Sequence, residues 1–233
     1  MEGVGALPPT ERKRESVRRM FDRIAPRYDR MNRLLTGGLD QRWRRRALDA
    51  IAIGPGDTVL DLACGTGDLA ELACARGARV IAVDFAREML RGALRRHIPA
   101  VFLQADGAAL PLADGSASAL LCGFALRNFV SLPDAFAEMA RVLAPAGRFA
   151  FLEVDRPRSA PLRALHSLYF DRAVPRLGAW LSDRAAYAYL PQSTAYLPPE
   201  PELCAELAKA GFERLRKTPL LLGAAQIVTG LRT

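Results

Sequence analysis

The sequence predicts an α/β fold, a mostly parallel sheet of seven strands that ends in an antiparallel hairpin. Three observations carry this reading. Five apolar runs alternate with amphipathic stretches between residues 58 and 154. A glycine-rich turn, Gly65-Thr66-Gly67, follows the first run directly. The chain then closes in two extended runs joined near Gly223. Alternating strand and helix signals imply parallel strands with right-handed crossovers, and paired extended runs joined at a glycine imply a hairpin. With 233 residues, half of them apolar, the length favours a single domain over 1–233.

In chain order, residues 10–50 read as helices. Val17, Met20, Phe21 and Ile24 recur at helical spacing, Pro26 interrupts that pattern, and Gly37-Gly38 interrupts the next. After Gly54-Pro55-Gly56 the strands are expected at TVLDLA (58–63), RVIAVD (79–84), AVFLQAD (100–106), ALLCGFAL (119–126) and RFAFLEV (148–154). Helices are expected around 69–76, 87–96 and 132–143. Residues 157–200 break the rhythm as an amphipathic, aromatic cap insertion. A helix, PELCAELAKAGF, and the terminal hairpin follow.

The charge is uneven. Between Glu11 and Arg46 stand thirteen Lys or Arg against five Asp or Glu, so the whole net charge of +8 lies in that segment. This is either a solvated helical face or a surface for an anionic partner, such as a membrane, a phosphate-bearing substrate or nucleic acid. No apolar run reaches the length of a spanning helix, and the N-terminus lacks the apolar core of a secretory signal. Cys64, Cys74, Cys122 and Cys204 form no C-x-x-C pair, so neither a metal site nor a disulfide framework is expected, and a reducing cytoplasm fits.

In a parallel sheet, ligands bind at the carboxyl ends of the strands, where the strand order reverses. The turn at Gly65 and Gly67 sits at such an end and fits the spacing of a dinucleotide site and of an S-adenosyl-L-methionine (SAM) site alike. Asp61, four residues before Gly65, tips the balance. A carboxylate there would repel a pyrophosphate and suit the cationic amino and sulfonium groups of SAM. Asp84 ends the second strand, placed either to accept ribose hydroxyls or to cap the helix beginning AREML. Asp106-Gly107 follows the third strand, positioned to meet an adenine amino group or simply to make a turn.

The order Asp61, Gly65-x-Gly67, Asp84, Asp106 resembles the class I SAM-dependent methyltransferases, whose fold is Rossmann-like. More narrowly, YDRMNRLLTGGLDQRWRRR, LDLACGTGDLA, GFALRNFVSLPDAFAEMARVLAPAGRFAFLEVDRP and YAYLPQSTAYLPPEPELCAELAKAGF resemble the quinone-biosynthesis C-methyltransferases, from about Val17 to the C-terminus. The resemblance implies methylation of a prenylated quinol, either demethylmenaquinol or the benzoquinol precursor of ubiquinone, with S-adenosyl-L-homocysteine (SAH) as product. It places cofactor contacts on Thr66, Asp84, Asp106, Gly107 and Gly123. With the turn and its neighbours, the expected cofactor set is Asp61, Gly65, Thr66, Gly67, Asp84, Phe85, Asp106, Gly107 and Gly123. Gly123 stands where some members have serine, and Asp40-Gln41-Arg42-Trp43 and LEVDRP depart from common family forms.

Methylating a ring carbon requires the ortho hydroxyl to lose its proton, so the site needs a proton route and a partner for the developing oxyanion. Arg127-Asn128, after the fourth strand, supplies the expected oxyanion partner, Arg127 alternatively making a surface ion pair. Tyr28 and Asp29 would orient the hydroxyl and accept its proton, or cap a helix after Pro26. His166 is a possible relay from the cap insertion, or a core or surface residue. Tyr169, Phe170, Trp180, Tyr187 and Tyr189 read as packing residues that together could line a slot for an isoprenoid tail. The expected protein is a cytoplasmic homodimer in peripheral contact with the anionic inner membrane face, without a nucleic-acid partner. A small-molecule methyltransferase of secondary metabolism and a nucleic-acid methyltransferase are the alternatives.

Overall fold

The computed structural model describes residues 10–157, 159–169 and 193–233. Three helices come first: α1 (Thr10–Ile24), α2 (Tyr28–Thr36) and α3 (Leu39–Ala50). A 3-10 turn over Ala25–Arg27, with Pro26 inside it, separates α1 from α2. Gly37 and Gly38, at φ +58° and +77°, separate α2 from α3 in a left-handed backbone that other residues rarely adopt. On α1 the predicted stripe is present, with Val17, Met20 and Ile24 buried and Phe21 partly so.

The sheet follows: β1 (Thr58–Leu62), β2 (Arg79–Asp84), β3 (Val101–Gln104), β4 (Ala117–Gly123), β5 (Leu143–Val154), β6 (Phe212–Leu220) and β7 (Ala225–Arg232). Its order is β3-β2-β1-β4-β5-β7-β6. The first five strands pair in parallel, and β7 pairs antiparallel with both β5 and β6. Between them run α4 (Asp68–Cys74), α5 (Arg87–Leu94), α6 (Leu132–Val142), α7 (Ala160–Leu168) and α8 (Glu200–Lys209). The expected cap insertion falls largely outside the described residues, as do Phe170, Trp180, Tyr187 and Tyr189.

Strand alternation divides the core into two layers. Val59, Ala82, Ala119 and Leu121 face a cluster with Trp43, Leu48, Leu69 and Ala73 from α3 and α4. Leu60, Leu62, Leu120 and Phe149 face Phe136 and Met139 of α6 and Leu203 and Leu207 of α8. One strand is shorter than its apolar run suggests. β4 stops at Gly123 because Phe124 turns to φ +59°, and Leu126–Asn128 continue as a 3-10 turn. That turn decides which side chains meet the site.

Candidate functional site at the strand switch point

The strand order reverses between β1 and β4, and a cavity of about 380 Å³ opens there, within the ~300–1,000 Å³ typical of small-molecule sites. Leu62, Ala63 and Gly65 line it from the end of β1, Asp84 and Phe85 from β2, Asp106 and Gly107 from β3, and Gly123 and Phe124 from β4. The N-terminal helices contribute Arg14, Phe21 and Tyr28.

Gly65 takes φ +57°, and its backbone N–H donates to Asp84 Oδ2 at 2.8 Å. The other oxygen of Asp84 accepts from Ala86 N at 2.8 Å. Each carboxylate oxygen has a second lone pair, so Asp84 can hold the turn and still accept from a ligand. Burial raises its pKa to about 6, against the pull of the two amides. Asp106 Oδ1 accepts from Ala108 N at 3.0 Å, while Oδ2 pairs with Arg14. Two glycines are fixed by packing. A Cβ on Gly107 would collide with the Phe129 ring, and one on Gly123 would lie 2.9 Å from Leu69 Cδ1. Their bare backbones leave these walls close-packed.

Three expected cofactor residues lie outside this lining. Asp61 is 0 % exposed, because it shares with Val59 the strand face turned toward α4. Its Oδ2 accepts from Ala70 N at 2.9 Å, its Oδ1 has no hydrogen-bond partner among the described residues, and burial lifts its pKa to about 8. Asp61 therefore fastens the start of α4 behind the turn and is not among the residues that line the cavity. Thr66 Oγ1 donates to Asp29 Oδ1 at 2.5 Å, which occupies both residues in tying α2 to the turn. Asp29 is thus a tether and does not line the cavity as the expected proton acceptor would. Gly67 (φ +88°) has its Cβ direction filled by Ile98 Cδ1 at 2.7 Å, so it shapes the turn from behind.

Arg127 is also placed differently. The residue is 5 % exposed, and its guanidinium pairs with Glu153, with further hydrogen bonds to Phe124 O at 2.8 Å and Ser193 Oγ at 3.0 Å. The 3-10 turn sends Arg127 down toward β5 and leaves Asn128 and Phe129 facing the cavity. The ion pair anticipated as the alternative exists, but it is buried. Tyr28 lines the cavity, its hydroxyl bonded to Asn32, and burial raises its pKa. His166, on α7, is half-buried and does not line the cavity.

The chain matches the model of the ubiE/COQ5 methyltransferase family over residues 9–232. It belongs to that family. A demethylmenaquinone methyltransferase from Roseiflexus is 43% identical, covering 97% of each chain. One from Thermus thermophilus is 44% identical, covering 91% of this chain and all of that one. Among solved structures, a SAM-dependent methyltransferase from Aquifex aeolicus shares the fold, with a TM-score of 0.63 at 16% identity over 88% of this chain and 98% of that chain.

In this methyltransferase several residues at the site escape the sequence motifs. Glu153 shares the burial of Arg127. Lys13 is 4 % exposed and donates from Nζ to Phe129 O at 2.7 Å and Arg127 O at 3.2 Å. It lies 3.8 Å from the centroid of the Tyr196 ring, and burial lowers its pKa to about 8. One signal pointed to it: Lys13 is the single lysine among the thirteen basic residues of its segment. Further basic charge is spent inside the protein. Asp68, at the start of α4, accepts from Arg33 Nη2 and Arg96 Nη1, each at 2.9 Å, and Arg44 lies against both Asp40 and Asp68.

Proposed function

We propose that this methyltransferase moves a methyl group from SAM to a ring carbon of a prenylated quinol, demethylmenaquinol being the acceptor its named relatives favour. The observation that carries the reading is the cavity itself. Two carboxylates, Asp84 and Asp106, stand at the ends of adjacent strands, with apolar Leu62, Phe85, Met89 and Phe129 around them. Such a set suits a nucleoside, whose hydroxyls and amino group donate to carboxylates while its base packs on apolar side chains. When bound, SAM supplies an electrophilic methyl on a cationic sulfur.

The residues of the chain then divide the work. Gly65, Asp84, Phe85, Asp106, Gly107 and Gly123 hold the donor. Tyr28 and Asn128 are the polar groups facing the cavity that orient the acceptor oxygen. Asp61, Thr66, Gly67, Asp29 and Arg127 fix the walls from behind. The acceptor hydroxyl ionises, its ring carbon forms the new C–C bond as the S–C bond breaks, the ring proton leaves to restore aromaticity, and a proton returns to the oxygen. The balance is methylated quinol, SAH and one proton. Holding both reactants in line within an enclosed site supplies most of the acceleration.

We propose further that the chain is a single catalytic domain and works as a cytoplasmic homodimer touching the anionic inner membrane face. No described helix is long and apolar enough to cross a membrane. Exposed Arg18, Arg19, Arg23, Arg27 and Arg30 support surface contact. The deciding experiment is methyl transfer from labelled SAM to a short-chain demethylmenaquinol kept reduced. Labelled methylquinol is expected. Transfer only to unrelated small acceptors, or to nucleic acid, would overturn the quinol reading.

A further inference from the structure

The N-terminal segment touches the carboxyl ends of four consecutive sheet positions. Lys13, near the start of α1, grips the main-chain carbonyls of Arg127 and Phe129 in the turn after β4. Arg14, its neighbour, pairs with Asp106 after β3. Two turns further along α1, Asp22 Oδ1 accepts from Glu88 N at 2.9 Å, at the head of α5 after β2. Beyond the 3-10 turn, the Tyr28 ring lies 3.9 Å from where a Cβ on Gly65 would stand, over the turn after β1. Arg14, Phe21 and Tyr28 all line the cavity. The segment is therefore a roof, tied down at points around the cavity it covers.

Lys13 is costly for a purely structural tie. Burying an ammonium is unfavourable unless a counter-charge offsets it. Among the described residues no carboxylate pairs with it; its partners are two carbonyls and the face of Tyr196. An apolar residue would pack there without that penalty. What the ammonium adds is directional: it joins α1, the Tyr196 segment and the cavity wall at one point.

We propose that Lys13 and Arg14 are positioning residues that latch α1 over the cavity and thereby set the rate at which the donor enters and its product leaves. This rests on the reading that the cavity holds SAM. A latch has a kinetic signature distinct from that of a ligand contact. Loosening a cover speeds entry and exit together, whereas losing a contact mainly speeds exit.

The test uses the full chain and SAH as probe, with Trp43 as reporter because its ring lies 6.4 Å from that of cavity-lining Phe124. Association and dissociation rates are measured by stopped flow for wild type, Lys13→Met and Arg14→Gln. Amide hydrogen exchange of α1 is measured in each protein without ligand. In Arg14→Gln both rates should rise together by about 2–5-fold, the scale of an exposed ion pair. In Lys13→Met they should rise by about 10–100-fold, the scale of lost charged hydrogen bonds. Exchange in α1 should quicken while β1 and β4 stay protected. The Arg14 side chain is 62 % exposed, so Arg14→Gln folds and carries the test if Lys13→Met does not. Dissociation rising alone, or α1 exchange unchanged, overturns the latch. If wild type does not bind SAH, the donor reading falls, and α1 exchange alone then decides whether the two residues hold the roof.

Discussion

Replacing Arg127 by Ala separates two accounts of the Arg-Asn motif. On sequence grounds, loss of an oxyanion partner would cut turnover by about 10²–10³-fold and leave the fold intact. The structure predicts another result. Glu153 is 1 % exposed and shares its buried site with the Arg127 guanidinium. Removing that guanidinium leaves a carboxylate in the core without its counter-ion, at a cost of about 3–5 kcal/mol. Phe124 O and Ser193 Oγ lose a donor in the same step. Against a total stability of about 5–15 kcal/mol, this is a severe defect. With a urea slope near 3 kcal/mol/M, the unfolding midpoint should fall by roughly 1–2 M. The double substitution Arg127→Met with Glu153→Met removes both charges and should recover most of the loss, since apolar replacement of a buried pair is often neutral. Urea melts of wild type and the two variants, followed by fluorescence and circular dichroism, supply the comparison. If Arg127→Ala melts like wild type while turnover falls a hundredfold at unchanged SAM affinity, the guanidinium acts in the cavity and the ion-pair account is wrong.

Other expectations follow from the same geometry. Donor hydroxyls favour the ionised form of Asp84, whose pKa stands near 6 in the free protein; SAH affinity should therefore weaken by up to about tenfold per unit as pH falls below 6. Calorimetry in that range should show this for wild type and a flat profile for Asp84→Asn. Asp61 is raised from 3.8 to about 8, so its contribution to stability is present below pH 4 and is lost as pH rises through 8. Asp61→Asn keeps an acceptor for Ala70 N and should gain on wild type by up to about 1.4 kcal/mol per pH unit between pH 5 and 8, read from denaturation midpoints. Gly107→Ala forces a methyl into the Phe129 ring, which should cost about 1–3 kcal/mol and weaken SAH binding; an unaltered melting temperature and affinity would show that the wall yields freely. Binding to anionic vesicles should fall when Arg18, Arg19 and Arg23 are neutralised, each worth about 1 kcal/mol at a charged surface, and should vanish with added salt.

The fold was legible because its signals are local. Each of the five parallel strands is an apolar run, and residues at or just beyond the ends of three of them, Asp84, Asp106 and Gly65, reach the cavity. A strand end at the switch point faces the ligand site whatever surrounds it. Asp61 was expected at the cavity and lies behind its wall, a placement for which the evidence was nearby. Side chains alternate along a strand, so Asp61 must share a face with Val59, and that face packs on α4. Sequence spacing from Gly65 suggested proximity, but parity determined direction.

Arg127 and Lys13 show a harder limit. Whether Arg127 or Asn128 faces the cavity depends on the phase of a three-residue 3-10 turn, set by a non-glycine residue, Phe124, at φ +59°. No periodicity in the sequence encodes that angle. Lys13 reaches partners 114 and 116 residues away, which only the docking of α1 across the sheet brings together. The charge asymmetry divides for the same reason. An excess of eight in one segment suggested an outward-facing surface, yet Lys13, Arg33 and Arg44 turn inward and Arg14 pairs with Asp106 at the cavity. Composition counts charges without regard to side. A basic helix that roofs an acidic strand edge and one that lies on an anionic membrane carry the same formal charge. Here one helix presents both faces, with Lys13 and Arg14 toward the acidic edge of the sheet and Arg18 and Arg19 toward solvent.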